Sequence, residues 1–297
     1  MTNTCIVIVS YRRTPILKTL LNVLASQLTS SDVIVLILKS TVDQSIMNKN
    51  VNLTKILIRE DKGLGTARSI GAKICIKKFN AKLIIFIDDD AIPDKNWIKE
   101  LKVTTRYANI VGGPCIALTL HKPPNWWFEE IASCHSKKSI IDALRKKEFW
   151  RYIYGCNFAV RREVFEKCGY FEPLGRFKDM PLSGEETQFI LRAIRCCNAK
   201  VFFNPNARVY HIVLPHKYYI RWILRSAFYT GISRRYIAMQ RLMEYGLLLR
   251  IILTLVRTIA WIFLILINIM LRRRKHIVKN LIYLVSDLGF LISKFKI

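Results

Sequence analysis

The feature that most constrains the fold is the alternation of short apolar runs with longer amphipathic segments over the first third of the chain. The predicted strands are 5–9, 33–38, 55–58 and 83–87, and the predicted helices are 14–28, 64–78 and 94–107. Near-continuous apolar, β-branched runs are typical of strands whose two faces are both covered by helices. The sequence therefore predicts an α/β domain with a doubly wound, mostly parallel sheet.

Composition narrows the class of protein further. Of the 297 residues, 52% are hydrophobic, which excludes a disordered or low-complexity chain. The eight cysteines are scattered and have no zinc-ligand spacing, so we expect them to be reduced. The N-terminus lacks the basic start and the small-residue cleavage site of a secretory signal, and we therefore expect a cytoplasmic domain.

Three adjacent carboxylates, Asp88, Asp89 and Asp90, follow the fourth predicted strand. Ligands of doubly wound sheets bind beyond the carboxyl ends of the strands, and three neighbouring carboxylates repel each other unless a cation neutralises them. The pattern favours a Mg or Mn site, since these hard ions prefer oxygen ligands. The alternative is a solvated turn in which Asp90 or Asp94 caps the next helix.

A second pair of carboxylates, Glu185 and Glu186, precedes a helical segment at 187–193. Beside a metal and phosphate site, one of them is suited to act as a general base. The alternative for Glu186 is a capping box with Ser183. His211 ends another apolar segment, although a lone histidine is more often structural than a ligand.

Taken in order, these segments resemble the nucleotide-sugar glycosyltransferases of family 2, which have the GT-A fold. The resemblance covers roughly residues 4–235 and rests on the order and spacing of seven short motifs. They are VSYRR at 9–13, GLGTARSIG at 63–71, IDDDAIP at 87–93, GCNFAVRRE at 155–163, GYF at 169–171, SGEET at 183–187 and VYH at 209–211.

The resemblance implies a role for each candidate residue. Asp88 faces the ribose and the sugar, Asp89 or Asp90 holds a divalent ion (Mn or Mg) that bridges the diphosphate, and His211 closes over them. The nucleotide pocket is implied to contain Ser10, Tyr11 and Arg68. The acidic motif supplies the general base, with Glu186 at the position of the base and Glu185 before it.

The same resemblance implies the reaction, which is inverting sugar transfer to a hydroxyl of a glycan or a lipid-linked acceptor. The acidic residue that commonly ends the second strand is missing at 37–40, so the nucleotide stays open. Processive members carry Gln-x-x-Arg-Trp, whereas this chain has YYIRW at 218–222, which favours transfer of a single sugar. A sugar-nucleotide synthesising transferase would need a glycine-rich loop after the first strand, and residues 10–14 contain no glycine.

The last quarter of the chain has a different composition. Residues 217–297 carry 15 of the 48 basic residues but 2 of the 21 acidic ones. The apolar stretch 247–270 is long enough to span a bilayer, but Arg257 within it is costly there, and a basic cluster follows at 272–275. If the stretch spanned the membrane from a cytoplasmic catalytic domain, the basic cluster would lie outside, against the positive-inside rule. An interfacial or re-entrant helix pair avoids this conflict, and helices buried against the catalytic domain or a second subunit are the alternative.

We therefore predict three segments: a catalytic domain at 1–216, a basic helical connector at 217–245 and membrane-associated helices at 246–297. The enzyme is expected on the cytoplasmic face of the membrane, held by anionic lipid. The loop 121–128 holds Trp126 and Trp127, which either contact sugar or lipid or fill the core. The net charge of +27 leaves nucleic-acid binding without catalysis as the competing hypothesis, although no recognition motif accompanies it.

Overall fold

A mixed seven-stranded sheet and a three-stranded sheet organise the chain. The computed structural model describes residues 4–10, 15–38, 53–58, 63–174, 182–240 and 246–293. The strands in these ranges are β1 (Thr4–Ser10), β2 (Val33–Leu38), β3 (Leu53–Leu57), β4 (Leu83–Asp88), β5 (Ala91–Pro93), β6 (Ile110–Gly112), β7 (Cys115–Thr119), β8 (Asn157–Arg161), β9 (Val201–Phe203) and β10 (Val209–Val213).

The larger sheet has the order β3-β2-β1-β4-β8-β6-β9. Strand β1 pairs in parallel with β2 and β4, β2 with β3, and β6 with β9, whereas β8 runs antiparallel to β4 and β6. The smaller sheet has the order β5-β10-β7. The predicted doubly wound, mostly parallel sheet is therefore confirmed, and the carboxyl ends of β1 and β4 lie side by side.

Helices cover both faces of the larger sheet. They are α1 (Pro15–Ala25), α2 (Leu64–Lys77), α3 (Trp97–Thr104), α4 (Lys137–Lys146), α5 (Arg162–Cys168), α6 (Glu185–Cys197), α7 (Ile220–Met239), α8 (Leu247–Met270) and α9 (Arg274–Ile292). Successive side chains of β1 point to opposite faces, so that Val7 packs in one cluster with α2 and Ile8 in another with α1. This two-sided burial explains why β1 reads as a continuous apolar run.

Asn157 joins the two sheets beneath the strand ends. Its fully buried side chain accepts a hydrogen bond from Trp97 Nε1 at 2.8 Å and donates to the carbonyl oxygens of Pro114 at 3.1 Å and Ala207 at 2.8 Å. Each polar atom of the buried amide is thus satisfied, which is what a buried polar group requires. The contacts fix β8 relative to the segments that lead into β7 and β10.

The expectation that the cysteines are reduced is wrong for two pairs. The structure joins Cys5 to Cys75 and Cys168 to Cys197 as disulfides, with Cα atoms 5.6 and 6.4 Å apart. The first pair arises because α2 packs on β1, and the second because α5 packs on α6. Sequence spacing hides both pairs, since the partners are 70 and 29 positions apart.

Helices α7, α9 and α8 form a layer on the α/β domain, in that spatial order. Ile232 of α7 packs with Leu174 and Leu182 of the domain, so the predicted boundary at residue 216 does not mark a break in packing. At the α7–α9 contact, a Cβ added to Gly231 would overlap the carbonyl oxygen of Ser286, and one added to Gly289 would overlap that of Phe228. The two helix backbones therefore touch.

The aromatic loop at 121–128 contributes to the core. Trp127 is 8% exposed, and its ring lies edge-on to Tyr218 with the centroids 5.9 Å apart. It also clusters with buried Cys134 and Val213, while Trp126 packs partly buried against them. Of the two alternatives that the sequence leaves open, the structure supports core filling.

The close approach of α7 and α9 predicts an asymmetric response of two glycines to alanine. Gly231→Ala should destabilise the fold by about 1–3 kcal/mol, because the added methyl group meets backbone that must move apart. Gly246→Ala is the matched control, since a Cβ there meets no heavy atom within 4 Å. Denaturant unfolding in detergent measures the difference, and equal midpoints for the two variants would contradict the packing described.

Candidate functional site

A cavity of 690 Å³ opens at the carboxyl ends of β1 and β4. The start of α6 and the segment that follows β10 close its other sides. Its lining combines acidic, basic and aromatic side chains, among them Arg68, Asp88, Asp89, Asp90, Tyr154, Glu185, Glu186, His211, His216, Lys217 and Trp222. Most of the residues singled out from the sequence thus meet in one place, although 134 positions separate Asp88 at the end of β4 from Trp222.

Asp88, Asp90 and His211 form a close group in this cavity. One ligand atom of each lies within 4.8 Å of those of the other two, and His211 Nε2 is 3.0 Å from Asp90 Oδ1. The pairing of β10 with β5 explains the arrangement, because it places His211 opposite Ala91, directly after the carboxylates. Burial raises the pKa of Asp90, but the hydrogen bond and charge of His211 outweigh it and leave that pKa below its usual value.

Asp89 lies outside this group of three and contacts β1 instead. Its Oδ2 accepts a hydrogen bond from Ser10 Oγ at 2.5 Å. Burial raises the pKa of Asp89 to about 7; Ser10 opposes this shift, and the charges of Asp90 and Asp88 add to it. Tyr11, the other residue assigned to the nucleotide pocket, lies outside the described residues.

Arg68 is the internal cation of the site. It is 2% exposed, and its guanidinium pairs with Glu185 and donates to Asp88 Oδ1 and the Gly155 carbonyl oxygen, both at 2.8 Å. Despite the burial, these opposite charges, with that of Glu186, raise the pKa of Arg68. Arg68 therefore balances the carboxylates from inside the protein, and Glu185, which is 2% exposed, is fixed by it.

Glu186 is the carboxylate left facing the cavity. It lies half-buried in the first turn of α6, beside Glu185. Burial raises the pKa of Glu186, against the charge of Arg68 and a hydrogen bond from the Gly155 backbone. The capping-box alternative is wrong, because α6 is capped by Gly184, with φ at 96° and without a side-chain hydrogen bond.

The helix-cap alternative for the aspartates also fails. Helix α3 is capped at Asn96 without a side-chain hydrogen bond, so neither Asp90 nor Asp94 caps it. Asp94 instead accepts a hydrogen bond from the Lys95 backbone at 2.7 Å. Asp88 and Asp90 pair instead with Arg68 and His211, at the edge of the cavity.

Sequence reasoning missed the basic and aromatic wall of the cavity. His216, Lys217 and Trp222 line it, and the positive charge of Lys217 acts on Asp90. One signal was present, since the stretch 218–222 was compared with a family motif that ends in tryptophan. The comparison bore on processivity, whereas the structure places Trp222 in the site itself.

His135 supports the floor of the site. Its Nδ1 accepts a hydrogen bond from the Cys115 backbone N–H at 2.9 Å, and its Nε2 lies 2.9 Å from the carbonyl oxygen of Tyr152. The imidazole stacks on Tyr154, which lines the cavity, with ring centroids 4.4 Å apart. Burial lowers the pKa of His135 to about 4, although both backbone contacts oppose the shift.

This burial predicts a loss of stability in acid. Between pH 6.5 and pH 4 the unfolded chain binds a proton at residue 135 and the folded chain does not, so the free energy of unfolding falls as the pH falls. The full effect is up to about 3 kcal/mol. Urea unfolding of the wild type and of His135→Gln across this window measures it; the variant should show a shallower slope, and parallel curves would contradict the assignment.

Comparisons with known proteins point in one direction. A sequence model described as Glycosyl transferase family 2 matches residues 5–169. The curated glucosyl-dolichyl phosphate glucuronosyltransferase of Haloferax volcanii is 27% identical over 185 residues, which are 59% of this chain and 56% of that protein. The chain thus spans about half the length of the curated relative.

Two solved structures show the same fold. The mannosyltransferase PcManGT from Pyrobaculum calidifontis, in complex with GDP-Man and Mn2+, has a TM-score of 0.59 at 13% identity, over 80% of this chain and 64% of that chain. TarS 1-349 of S. aureus, in complex with UDP-GlcNAc, has a TM-score of 0.55 at 14% identity, over 80% of this chain and 66% of that chain. The GT-A fold expected from the motifs is confirmed.

Proposed function

The chain belongs to glycosyltransferase family 2, and we propose that it transfers a single sugar from a nucleotide-diphosphate donor to an acceptor hydroxyl with inversion. The observation that carries the proposal is the shared cavity: the group of Asp88, Asp90 and His211 and the carboxylate of Glu186 line one space. Such a cavity holds a charged leaving group at one end and a nucleophile at the other.

The donor end fits a divalent metal ion. Two carboxylates and an imidazole within 4.8 Å of one another form a donor set that suits Mn or Mg, and Asp88, Asp90 and His211 would hold the ion. When bound, such an ion stabilises negative charge on the departing diphosphate as a Lewis acid. Lys217 adds a positive charge on the same wall of the cavity.

The acceptor end depends on Glu186. Its carboxylate takes the proton from the acceptor hydroxyl, and the oxygen attacks the anomeric carbon. The nucleoside diphosphate leaves from the opposite face, so the configuration at that carbon inverts. A raised pKa suits this role, since a general base works best when its pKa approaches the working pH. Arg68 keeps Glu185 occupied, which leaves Glu186 as the base.

A lipid-linked acceptor at the cytoplasmic face of the membrane is part of this proposal. The relative from Haloferax volcanii is a glucosyl-dolichyl phosphate glucuronosyltransferase, and glucosyl-dolichyl phosphate is a lipid-linked sugar. Helix α8 has a mean hydropathy of 2.3 over its most apolar window and only 11% of that window is buried. An enzyme held at a membrane is placed close to acceptors of this kind.

Nucleic-acid binding is the weaker hypothesis. It rests on the net charge of +27, whereas the cavity itself gathers five carboxylates in its lining. A polyanion is repelled by such a lining unless cations intervene. Attraction to anionic lipid explains the net positive charge of the chain at least as well as nucleic-acid binding does.

The two ends of the cavity predict different kinetic defects. Glu186→Gln should lower kcat by about 10²–10⁴-fold and leave the affinity for donor and Mn2+ nearly unchanged, because the general base is lost and the donor contacts stay. Asp90→Asn should weaken donor binding in the presence of Mn2+. Transfer assays with a panel of labelled nucleotide-sugars and calorimetric titration of the donor measure the two effects.

Glu166→Gln is the matched control, since Glu166 is an exposed carboxylate that pairs with Arg162 far from the cavity. It should transfer sugar at the wild-type rate. Turnover within a few-fold of wild type in Glu186→Gln would remove the assigned base, and equal defects in all three variants would point to general destabilisation instead.

A further inference from the structure

Helix α8 is apolar outside and polar inside, the reverse of a helix on a water-soluble protein. Its exposed positions are all apolar, from Leu248 at 72% exposure to Met270 at 82%. The polar side chains of the helix are absent from these positions: Thr254 and Asn268 are buried, and the half-buried ones are Arg250, Arg257 and Thr258, together with Trp261. Water does not favour this arrangement, and an apolar medium around the helix does.

A buried aspartate holds the polar side of α8 in place. Asp287 of α9 is 1% exposed and accepts hydrogen bonds from Arg257 Nε at 2.7 Å and Trp261 Nε1 at 3.0 Å. It also accepts from Arg234 Nη1 of α7 at 3.1 Å. The arginine that makes 247–270 a poor membrane span by sequence is therefore paired with an internal counter-charge.

Helix α9 packs along α7 and also contacts the α/β domain near its start. Near its start, the Lys279 ammonium is 5.8 Å from the centre of the Phe128 ring, and near its end, Arg235 Nη1 donates to the carbonyl oxygen of Phe290 at 3.3 Å. These contacts are eleven positions apart, or about 16 Å along a helix axis. Because α8 packs back along α9, it runs beside the layer that α7 and α9 form on the domain.

We propose that α8 lies parallel to the membrane, in the boundary between headgroups and acyl chains of an anionic leaflet, with α9 and α7 above it. The proposal rests on the proposed function and adds the orientation of the enzyme. An upright α8 would draw the attached domain into hydrocarbon, where its loops and charges have no partners.

The charge pattern argues for lipid over a second copy of the chain. Residues 271–276, which include four consecutive basic residues, are all exposed at the end of α8. Two copies joined through their α8 faces would bring large like charges together, whereas anionic headgroups attract each basic residue. An amphipathic helix that lies in the membrane plane buries its apolar side chains at the boundary between headgroups and acyl chains, which suits the exposed apolar side chains of α8.

The orientation fixes the height of the active site. Helix α7 carries Trp222 into the cavity, and helix axes that pack together are about 8–10 Å apart. With α9 between α7 and α8, the cavity lies about 20 Å from the axis of α8. A lipid-linked acceptor must then extend its reactive end that far above the leaflet.

Depth measurements test the orientation directly. Nitroxide labels are placed in the full chain by Leu248→Cys, Ile259→Cys and Met270→Cys, in a Cys196→Ser background, since Cys196 is the exposed free cysteine of the described residues. The protein is bound to vesicles of phosphatidylcholine and phosphatidylglycerol, and electron paramagnetic resonance compares collisions with oxygen and with a polar nickel complex. All three labels should report the same shallow depth.

A label at 259 that lies about 10 Å or more deeper than those at 248 and 270 would show a span and overturn the proposal. Two other results would overturn the proposal in favour of a second copy of the chain. The labels would show no change in accessibility when vesicles are added, or their spectra would be broadened by labels of a second molecule without lipid.

Vesicle flotation supplies the matched mutational test. The double variant Val256→Asp with Ile259→Asp changes two exposed positions of α8 and should lower partitioning to anionic vesicles at least about tenfold. The control Tyr107→Asp changes an equally exposed residue of the domain and should bind as the wild type does. Unchanged binding of the double variant would overturn the proposal.

Donor binding in detergent separates this inference from the proposed function. If the double variant binds nucleotide-sugar with Mn2+ as the wild type does and only its vesicle binding is lost, both stand. If no form of the protein binds donor while the depths match, the proposed function has failed and the orientation stands.

Discussion

The arrangement of the site depends on one buried guanidinium. Arg68 comes from α2, and its partners Asp88 and Glu185 come from the end of β4 and the start of α6. Without this cation, the carboxylates gathered at these two ends would repel each other in a poorly hydrated space. The approach is close enough that a Cβ at Gly155 would collide with the guanidinium, which explains glycine at that position. Arg68 thus joins the group of Asp88, Asp90 and His211 to the two glutamates at the start of α6.

Much of the fold can be predicted from the sequence because it depends on local patterns of apolar residues. Buried strands such as β1 and β4 are continuous apolar runs, and α1 between them buries a face of four leucines. Once the sheet is parallel, the carboxyl ends of its strands share an edge, so Asp88 to Asp90 are expected beside the site. Family resemblance adds Glu186 and His211, whose placement in the same cavity no periodicity reveals.

The rest depends on contacts between residues far apart in sequence. The ion pair of Arg68 with Glu185 joins positions 117 residues apart, so the sequence could not show that Glu185 is already occupied. Three adjacent aspartates cannot be told apart by spacing, and the structure alone turns Asp89 to Ser10. In the tail, the sequence shows Arg257 as an unpaired charge in an apolar helix, whereas the structure pairs it with Asp287, 30 positions later. In each case, a tertiary contact supplies what the local pattern lacks.

The central claim is that Asp88, Asp90 and His211 form one metal and diphosphate site in the cavity of Glu186. Electron paramagnetic resonance of free Mn2+ tests it most directly, in titrations of the wild type, His211→Ala and Glu186→Gln with nucleoside diphosphate present. The account predicts that the wild type and Glu186→Gln remove the free Mn2+ signal alike, and that His211→Ala removes far less. Equal uptake by all three proteins, or none by the wild type, would contradict it.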